Sequence, residues 1–316
     1  MTSLELRTDA DPSLLVRGVS PVLEVPFTDD GAVDYPGFTT LVRHVLSTGV
    51  TSVMFPGFAS EFHKLTETER RGLTGILLDH TADRADVAAI IAVQDHATLL
   101  AVDRAREAVA AGADLINLLP PHFLNPSRPS LVQHIDAVLK AIAPVPMVLQ
   151  YAPTETGTAL DAPTLRQLAL DNPNLRLVKV ESSPPGPLIA ELAAADPPLA
   201  SVEGYAGVQL PDAVRRGAVG TQPGCSMTEV YQEIWRRLDS GDEQGGRALH
   251  RRLLPYISYW MLDTERIIAA EKLISVRRGF FASAYCREPA HRLDAEELRM
   301  IDQLLLEFAD LLRVLR

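Results

Sequence analysis

The chain has 316 residues, 47% of them hydrophobic, with a formal net charge of −11. That length holds two ordinary domains or one large α/β barrel with an extension, and the acidic balance argues against nucleic acid or an anionic membrane as a partner, since both select for basic patches. Two cysteines, Cys225 and Cys286, are too few for a disulfide framework or a cysteine-rich metal site.

Residues 1–16 read as a polar arm: Glu5, Asp9 and Asp11 with no long apolar run fit neither a signal peptide nor a membrane span, so a cytoplasmic protein is expected. From Gly18 a short apolar run followed by a longer amphipathic stretch repeats eight times. The runs cover 19–27, 51–55, 87–93, 114–119, 146–151, 175–181, 199–202 and 218–221. The helical stretches between them cover 35–47, 66–79, 97–111, 130–143, 162–170, 187–194 and 209–216. Strand and helix alternating in this way, with few hairpin signals, predict parallel strands joined by helical crossovers. Eight such units close most economically as a (β/α)8 TIM barrel. No Gly-x-Gly-x-x-Gly follows the first run and no Walker-type loop occurs, which disfavours a nucleotide-binding open sheet. Helical patterns at 230–238, 243–261, 266–277 and 295–315 complete the chain. The expected organisation is an arm over 1–16, a barrel over 17–227 and a C-terminal helical subdomain over 228–316 packed on it.

The chain has only four lysines, Lys64, Lys140, Lys179 and Lys272. One of them, in Leu175-Arg176-Leu177-Val178-Lys179-Val180-Glu181, falls where a buried strand would take another Val or Ile. An amine in a dry site is destabilised as an ammonium and becomes a nucleophile able to form a Schiff base with a carbonyl compound. The plainer reading is an edge-strand lysine snorkelling into water. Chemistry in such a barrel sits at the C-terminal ends of the strands. There the sequence offers Glu24, Gly57-Phe58-Ala59-Ser60-Glu61, Gln94-Asp95-His96, His122-Phe123, Gln150-Tyr151, Lys179 with Glu181, Glu203-Gly204-Tyr205 and Gln222.

These residues resemble the dihydrodipicolinate synthase / N-acetylneuraminate lyase family. The resemblance is carried by Pro26-Phe27 before Asp29-Asp30-Gly31, by Gly57-Phe58-Ala59-Ser60-Glu61 before Leu65-Thr66, and by Pro153 with Thr156-Gly157. Lys179 and Gly217-Ala218-Val219-Gly220 continue it. It implies a class I aldolase that binds pyruvate or another 2-keto acid as an imine on Lys179, usually as a tetramer built from dimers. It assigns the substrate carboxylate to Gly57, Phe58, Ala59 and Ser60, where backbone N–H groups serve in place of the family's threonines.

The departures from the family are equally informative. The family's acid/base tyrosine corresponds to Gln150, and Tyr151 comes one place late; alternation should turn it away from the barrel axis. A second relay tyrosine corresponds to Phe123, and the arginine that the lysine-forming synthases use for a second carboxylate corresponds to Glu155. The synthase itself is therefore not expected. The candidates for moving protons are Glu24, expected to face the interior by alternation with Val22, together with Glu181, His122, Tyr151 and a water held by Gln150.

The expected activity is a Schiff-base lyase or synthase acting next to a pyruvate-like 2-keto acid, with an aldehyde as second substrate. Lys179, Tyr151, Gln150 and Glu24 are its catalytic candidates. Gly57, Phe58, Ala59, Ser60, His122, Phe123, Glu181 and Gln222 are its substrate-binding candidates. No cofactor or metal is expected: Asp95 and His96 are adjacent and point to opposite faces of a strand. The alternatives are a dehydratase or hydratase of a 2-keto-deoxy sugar acid through the same imine, and a non-catalytic member that binds a keto acid or a partner.

Overall fold

The computed structural model describes residues 16–121, 124–157, 159–312 and 314. Eight parallel strands, β1 (Gly18–Val19), β2 (Ser52–Phe55), β3 (Ala88–Val93), β4 (Leu115–Leu118), β5 (Met147–Tyr151), β6 (Leu175–Val180), β7 (Ala200–Glu203) and β8 (Gly220–Thr221), pair in chain order, with β8 returning to β1. The ring closes through Val22, which bridges to both Met54 and Gly224. The expected (β/α)8 barrel is thus the fold. Its first run departs from the expected 19–27 because Pro21 and Pro26 have no N–H to donate. Beyond Val19 the segment bonds at intervals instead, Val22 N to Pro223 O at 2.8 Å and Leu23 N to Met54 O at 3.0 Å.

Alternation decides what each strand shows the interior. Ala88, Ile90 and Ala92 of β3, Leu115 of β4, Val148 of β5, Leu177 of β6 and Val202 of β7 fill the barrel. Their neighbours Ala89, Ile91, Val93, Ile116, Leu149 and Val178 pack outward under the helices. The outer ring comprises α1 (Tyr35–Ser47), α2 (Glu67–Thr81), α3 (Thr98–Ala110), α4 (Arg128–Ile142), the one-turn α5 (Pro153–Thr156), α6 (Ala162–Asp171), α7 (Gly186–Ala193) and α8 (Leu210–Arg215). Side-chain caps start several of these helices. Thr66 and Glu69 form a reciprocal capping box at α2, and Asp34 caps α1.

Four helices follow: α9 (Thr228–Asp239), which packs against β1, then α10 (Glu243–Trp260), α11 (Thr264–Arg277) and α12 (Ala295–Glu307). They share a second core of Tyr231, Ile234, Leu253, Ile257, Trp260, Ile274, Ile301, Leu304 and Phe308. The start of α11 is fixed by Asp263, whose side chain accepts from the Arg266 N–H at 3.1 Å. From there the helix runs over the strand ends: Lys272 is ion-paired with Glu61 after β2, and Ser275 donates to Glu24 after β1. Among the described residues no helix is long and apolar enough to cross a membrane.

Candidate active site

In β6 the same alternation turns Val178 and Val180 outward and Leu177 and Lys179 inward. Lys179 is 4% exposed, at the upper end of the barrel interior. Its register partner in β5 is Gln150. The Lys179 Nζ lies 3.3 Å from Glu181 Oε1. Gln150 Nε2 donates to Glu181 Oε2 at 2.6 Å, and Asn117 Nδ2 from β4 donates to Gln150 Oε1 at 3.0 Å. A buried side chain bonded on both sides has one orientation, so this amide–carboxylate chain fixes Glu181 against the amine. Glu181 has room because residue 204, at the end of β7, is a glycine: a Cβ there would lie 2.3 Å from Glu181 Cγ.

Over Lys179 opens a pocket of about 90 Å³. Val22, Phe58, Ala59, Gln222 and Gly224 line it from the strand ends, Glu155 and Tyr205 from the loops, and Met261, Ile267, Ile268 and Glu271 from the C-terminal helices. The Tyr205 hydroxyl donates to Glu155 Oε1 at 3.0 Å. Burial, and then the neighbouring Glu181, hold the Glu155 carboxyl above the usual carboxylate range; burial likewise raises the Tyr205 phenol. Tyr205 and Ala206 both have positive φ, 46° and 52°, a strained pair of left-handed residues that aims the phenol at the pocket. Behind this wall Glu203 is fully enclosed, accepting from the Gln209 N–H at 3.1 Å and the Thr221 hydroxyl at 3.2 Å. Burial pushes its carboxyl up to about 8.

The structure brings Lys179, Gln150, Glu181, Phe58, Ala59 and Gln222 together around one space. The Gln222 Nε2 is engaged by Ser20 Oγ at 3.2 Å. Gly57 stands at the start of a 3-10 turn over Phe58–Ser60, and its N–H donates to Ser60 Oγ at 2.9 Å. The Ser60 hydroxyl in turn donates to the Leu23 carbonyl, which pins the turn beneath the pocket. The N–H groups of Phe58 and Ala59 precede the first bond of that turn, Ser60 N to Gly57 O at 3.0 Å, so the turn does not consume them. Tyr151 faces the outer helices within the large core. Glu24 is interior and 1% exposed but lies behind the pocket, where Ser275 Oγ and Cys225 Sγ both donate to its Oε1. Burial pushes its carboxyl up to about 7. His122 and Phe123 lie outside the described residues. Asp95 is engaged in a two-pronged pair with Arg104. Among the described residues no group of three or more His, Cys, Asp or Glu side chains is placed to hold a metal ion.

Glu155, Tyr205 and Glu271 were not among the site residues expected from sequence. Glu271 leaves a signal in helical period: Ile268 three residues before it and Ile274 three after are both buried, which puts the glutamate on the inner face of α11. Reading strand ends alone could not reach it, since it belongs to a helix laid over the barrel.

The chain is thus a closed parallel (β/α)8 barrel with an inward lysine in its sixth strand and a pocket above it. Residues 15–307 match the dihydrodipicolinate synthetase family, and the chain belongs to that family, whose members are lyases and synthases of the class I aldolase type. The 4-hydroxy-tetrahydrodipicolinate synthase of Moorella thermoacetica is 29% identical over 253 residues, 78% of this chain and 84% of that one. Among solved structures, a dihydrodipicolinate synthase from Rhodopseudomonas palustris superposes with a TM-score of 0.84 at 23% identity, covering 92% of this chain and 97% of its own. A prophage protein of E. coli K12 from the dihydrodipicolinic acid synthase family, solved with pyruvate, superposes with a TM-score of 0.83 at 24% identity, over 93% of this chain and 98% of its own.

Proposed function

We propose that this protein forms or cleaves a carbon–carbon bond next to a pyruvate-like 2-keto acid held as an imine on Lys179. The observation that carries this reading is the Lys179 amine itself, buried, aimed into the pocket and 3.3 Å from a carboxylate able to take its proton. An amine attacks only when unprotonated, and Glu181 is the group in reach to accept that proton. Gln150 exchanges no proton; with Asn117 it holds Glu181 in place. The Phe58 and Ala59 N–H groups receive the substrate carboxylate beside the amine. Once the iminium has formed, it draws electrons from the neighbouring bond, so the C–C bond breaks to an enamine or forms from one without a metal.

The second substrate is an aldehyde lacking a carboxylate of its own. Glu155 stands on the pocket wall with its oxygens turned to Tyr205, and Glu181 and Glu271 add two more carboxyl groups to the lining. Another carboxylate brought among them would face the Glu181 carboxylate, and among the described residues the lining offers it no cation beyond Lys179, which the keto acid takes. This separates the reading from the lysine-forming synthases, whose second substrate is acidic.

Borohydride reduction in the presence of pyruvate tests it. Mass spectrometry should find one reduced adduct on the Lys179 peptide, absent from Lys179→Met. If no 2-keto acid of a mixed library gives an adduct, the imine reading fails. Product analysis with a panel of aldehydes then separates aldol chemistry from dehydration.

A further inference from the structure

The C-terminal helix α11 places a buried acid in this pocket that the chemistry above leaves unused. Glu271 is 2% exposed and lines the space over Lys179, and its Oε2 has no hydrogen-bond partner among the described residues. Its place is built: a Cβ on Gly224 would lie 1.7 Å from that oxygen, so the glycine after β8 leaves the room the carboxyl occupies. Behind it lies Glu24, whose Oε2 is likewise unpartnered among the described residues. Glu24 Oε1 accepts from Ser275 at 2.9 Å, and Ser275 is one helical turn on from Glu271. The two carboxyls therefore lie within a turn of each other, between α11 and the strand ends.

A lone buried carboxylate with an unpaired oxygen is expensive, and two side by side cannot both ionise. The pair keeps at least one proton at neutral pH, and Glu271, which opens on the pocket, is the member able to pass it to a ligand. Burial first and then Glu24 hold the Glu271 carboxyl well above the carboxylate range. Among the described residues the other titratable groups facing the pair are Cys225 after β8, Tyr231 on α9 and, across the pocket, Lys179, Glu181, Glu155 and Tyr205; Lys272 and Arg278 act on Glu24. Burial, with Glu24 and Glu271 for Cys225 and with Glu271 and Glu203 for Tyr231, keeps both protonated, so neither competes as a base.

We propose that Glu271 is the acid–base residue of this pocket, protonating the oxygen that leaves as the imine forms on Lys179, with Glu24 behind it holding the proton in place. The inference rests on the imine reading. As the amine adds to the keto carbon, the C–N bond forms and the carbonyl electron pair moves to oxygen. That oxygen takes a proton from Glu271, and the new ammonium returns one to the carboxylate. In the second step Glu271 protonates the hydroxyl, the C–O bond breaks and water leaves, while the nitrogen lone pair closes the C=N bond. An iminium and a Glu271 carboxylate result, and the carboxylate recovers its proton from the β-hydroxyl when the C–C bond breaks.

The experiment compares wild type, Glu271→Gln and Glu24→Gln by rate of borohydride-trapped adduct formation with pyruvate, across pH, with Tm recorded for each. Glu271→Gln should keep its Tm within a few degrees and lose about 100-fold or more in trapping rate, the scale of a general acid. Glu24→Gln removes the like charge that raises Glu271, so the alkaline limb of its profile should move to lower pH while the rate at lower pH survives. If wild type gives the Lys179 adduct and Glu271→Gln gives it equally fast, Glu271 is a structural acid and the inference falls alone. An unmoved Glu24→Gln profile would overturn the pairing. Absence of any adduct in wild type would instead sink the imine reading itself.

Discussion

Glu181 and Lys179 stand two residues apart on one strand face, with carboxylate and amine 3.3 Å apart, and the carboxylate's other oxygen is held at 2.6 Å by Gln150. The positioning matters as much as the pair. Glu181→Gln removes the base and should slow imine trapping about 100-fold. Gln150→Ala leaves the base and frees it to rotate, so it should cost less and act mainly on kcat rather than KM. Stopped trapping with borohydride at a series of pyruvate concentrations reads both. Equal losses for the two variants would contradict a division between base and positioner.

A second expectation concerns Gly204. An added Cβ would lie 2.5 Å from Glu181 Oε1 and 2.3 Å from its Cγ, inside any tolerable contact. Gly204→Ala should therefore push Glu181 off the amine and lower trapping as far as Glu181→Gln does, with a modest loss of Tm because the chain there needs no left-handed backbone. A trapping rate matching wild type would mean that Glu181 tolerates displacement and is not the base.

Much of this site was legible because a strand's period is two. Alternation puts Glu181 on the lysine's face, the family resemblance puts Gln150 where the acid/base tyrosine would stand, and one further step of alternation sends Tyr151 outward; the structure places all four so. Glu24 shows where that reasoning stops. Its interior face follows from Val22, but regular pairing ends at Val19 and only isolated bridges follow, so whether the side chain meets the pocket or the helix above depends on α11. The roof was hidden for the same reason. Glu271, Ile267 and Ile268 reach the site through the packing of a second core, and nothing local to the barrel strands encodes that packing. Tyr205 was visible as a strand-end residue, yet its role depends on two consecutive left-handed residues that their own side chains would not suggest.

The enclosed Glu203 makes stability depend on pH. Its folded carboxyl titrates at about 8, against an ordinary value of 4.5. Between those values the unfolded chain has released the proton and the folded one keeps it. The folded state therefore binds more protons, and stability falls as pH rises from about 4.5 through about 8. Glu203→Gln retains an acceptor for the Gln209 N–H and has no charge to bury, so its Tm should exceed that of wild type at pH 8 and vary less over this range. Parallel Tm–pH curves for the two proteins would show that Glu203 is not the group responsible.

The last expectation separates folding from chemistry. Lys272 and Glu61 are both fully buried and ion-paired, and Glu61 also receives the Arg287 N–H at 3.1 Å and lies 3.1 Å from Lys64. Lys272 further donates to the Tyr285 carbonyl at 3.0 Å and sits 4.2 Å over the Phe27 ring. Glu61 belongs to the turn that presents Phe58 and Ala59, so this pair ties α11 to the floor of the pocket. Removing Glu61 leaves Lys272 charged and buried, which costs about 3–5 kcal/mol; removing Lys272 costs less, because Glu61 keeps Lys64 at 3.1 Å, and removing both leaves no buried charge of the pair. Lys64 keeps Glu265 at 2.6 Å and the Pro289 carbonyl at 2.8 Å in either case. In urea, Lys272→Met and Glu61→Gln should each lower the unfolding midpoint with little change in slope, and the double variant should recover most of the loss. Because the turn then loses its tether, imine trapping should fall in the double variant even at wild-type stability. A double variant whose loss equals the sum of the two single losses would show that the charges contribute independently, and that the link from helix to turn lies elsewhere.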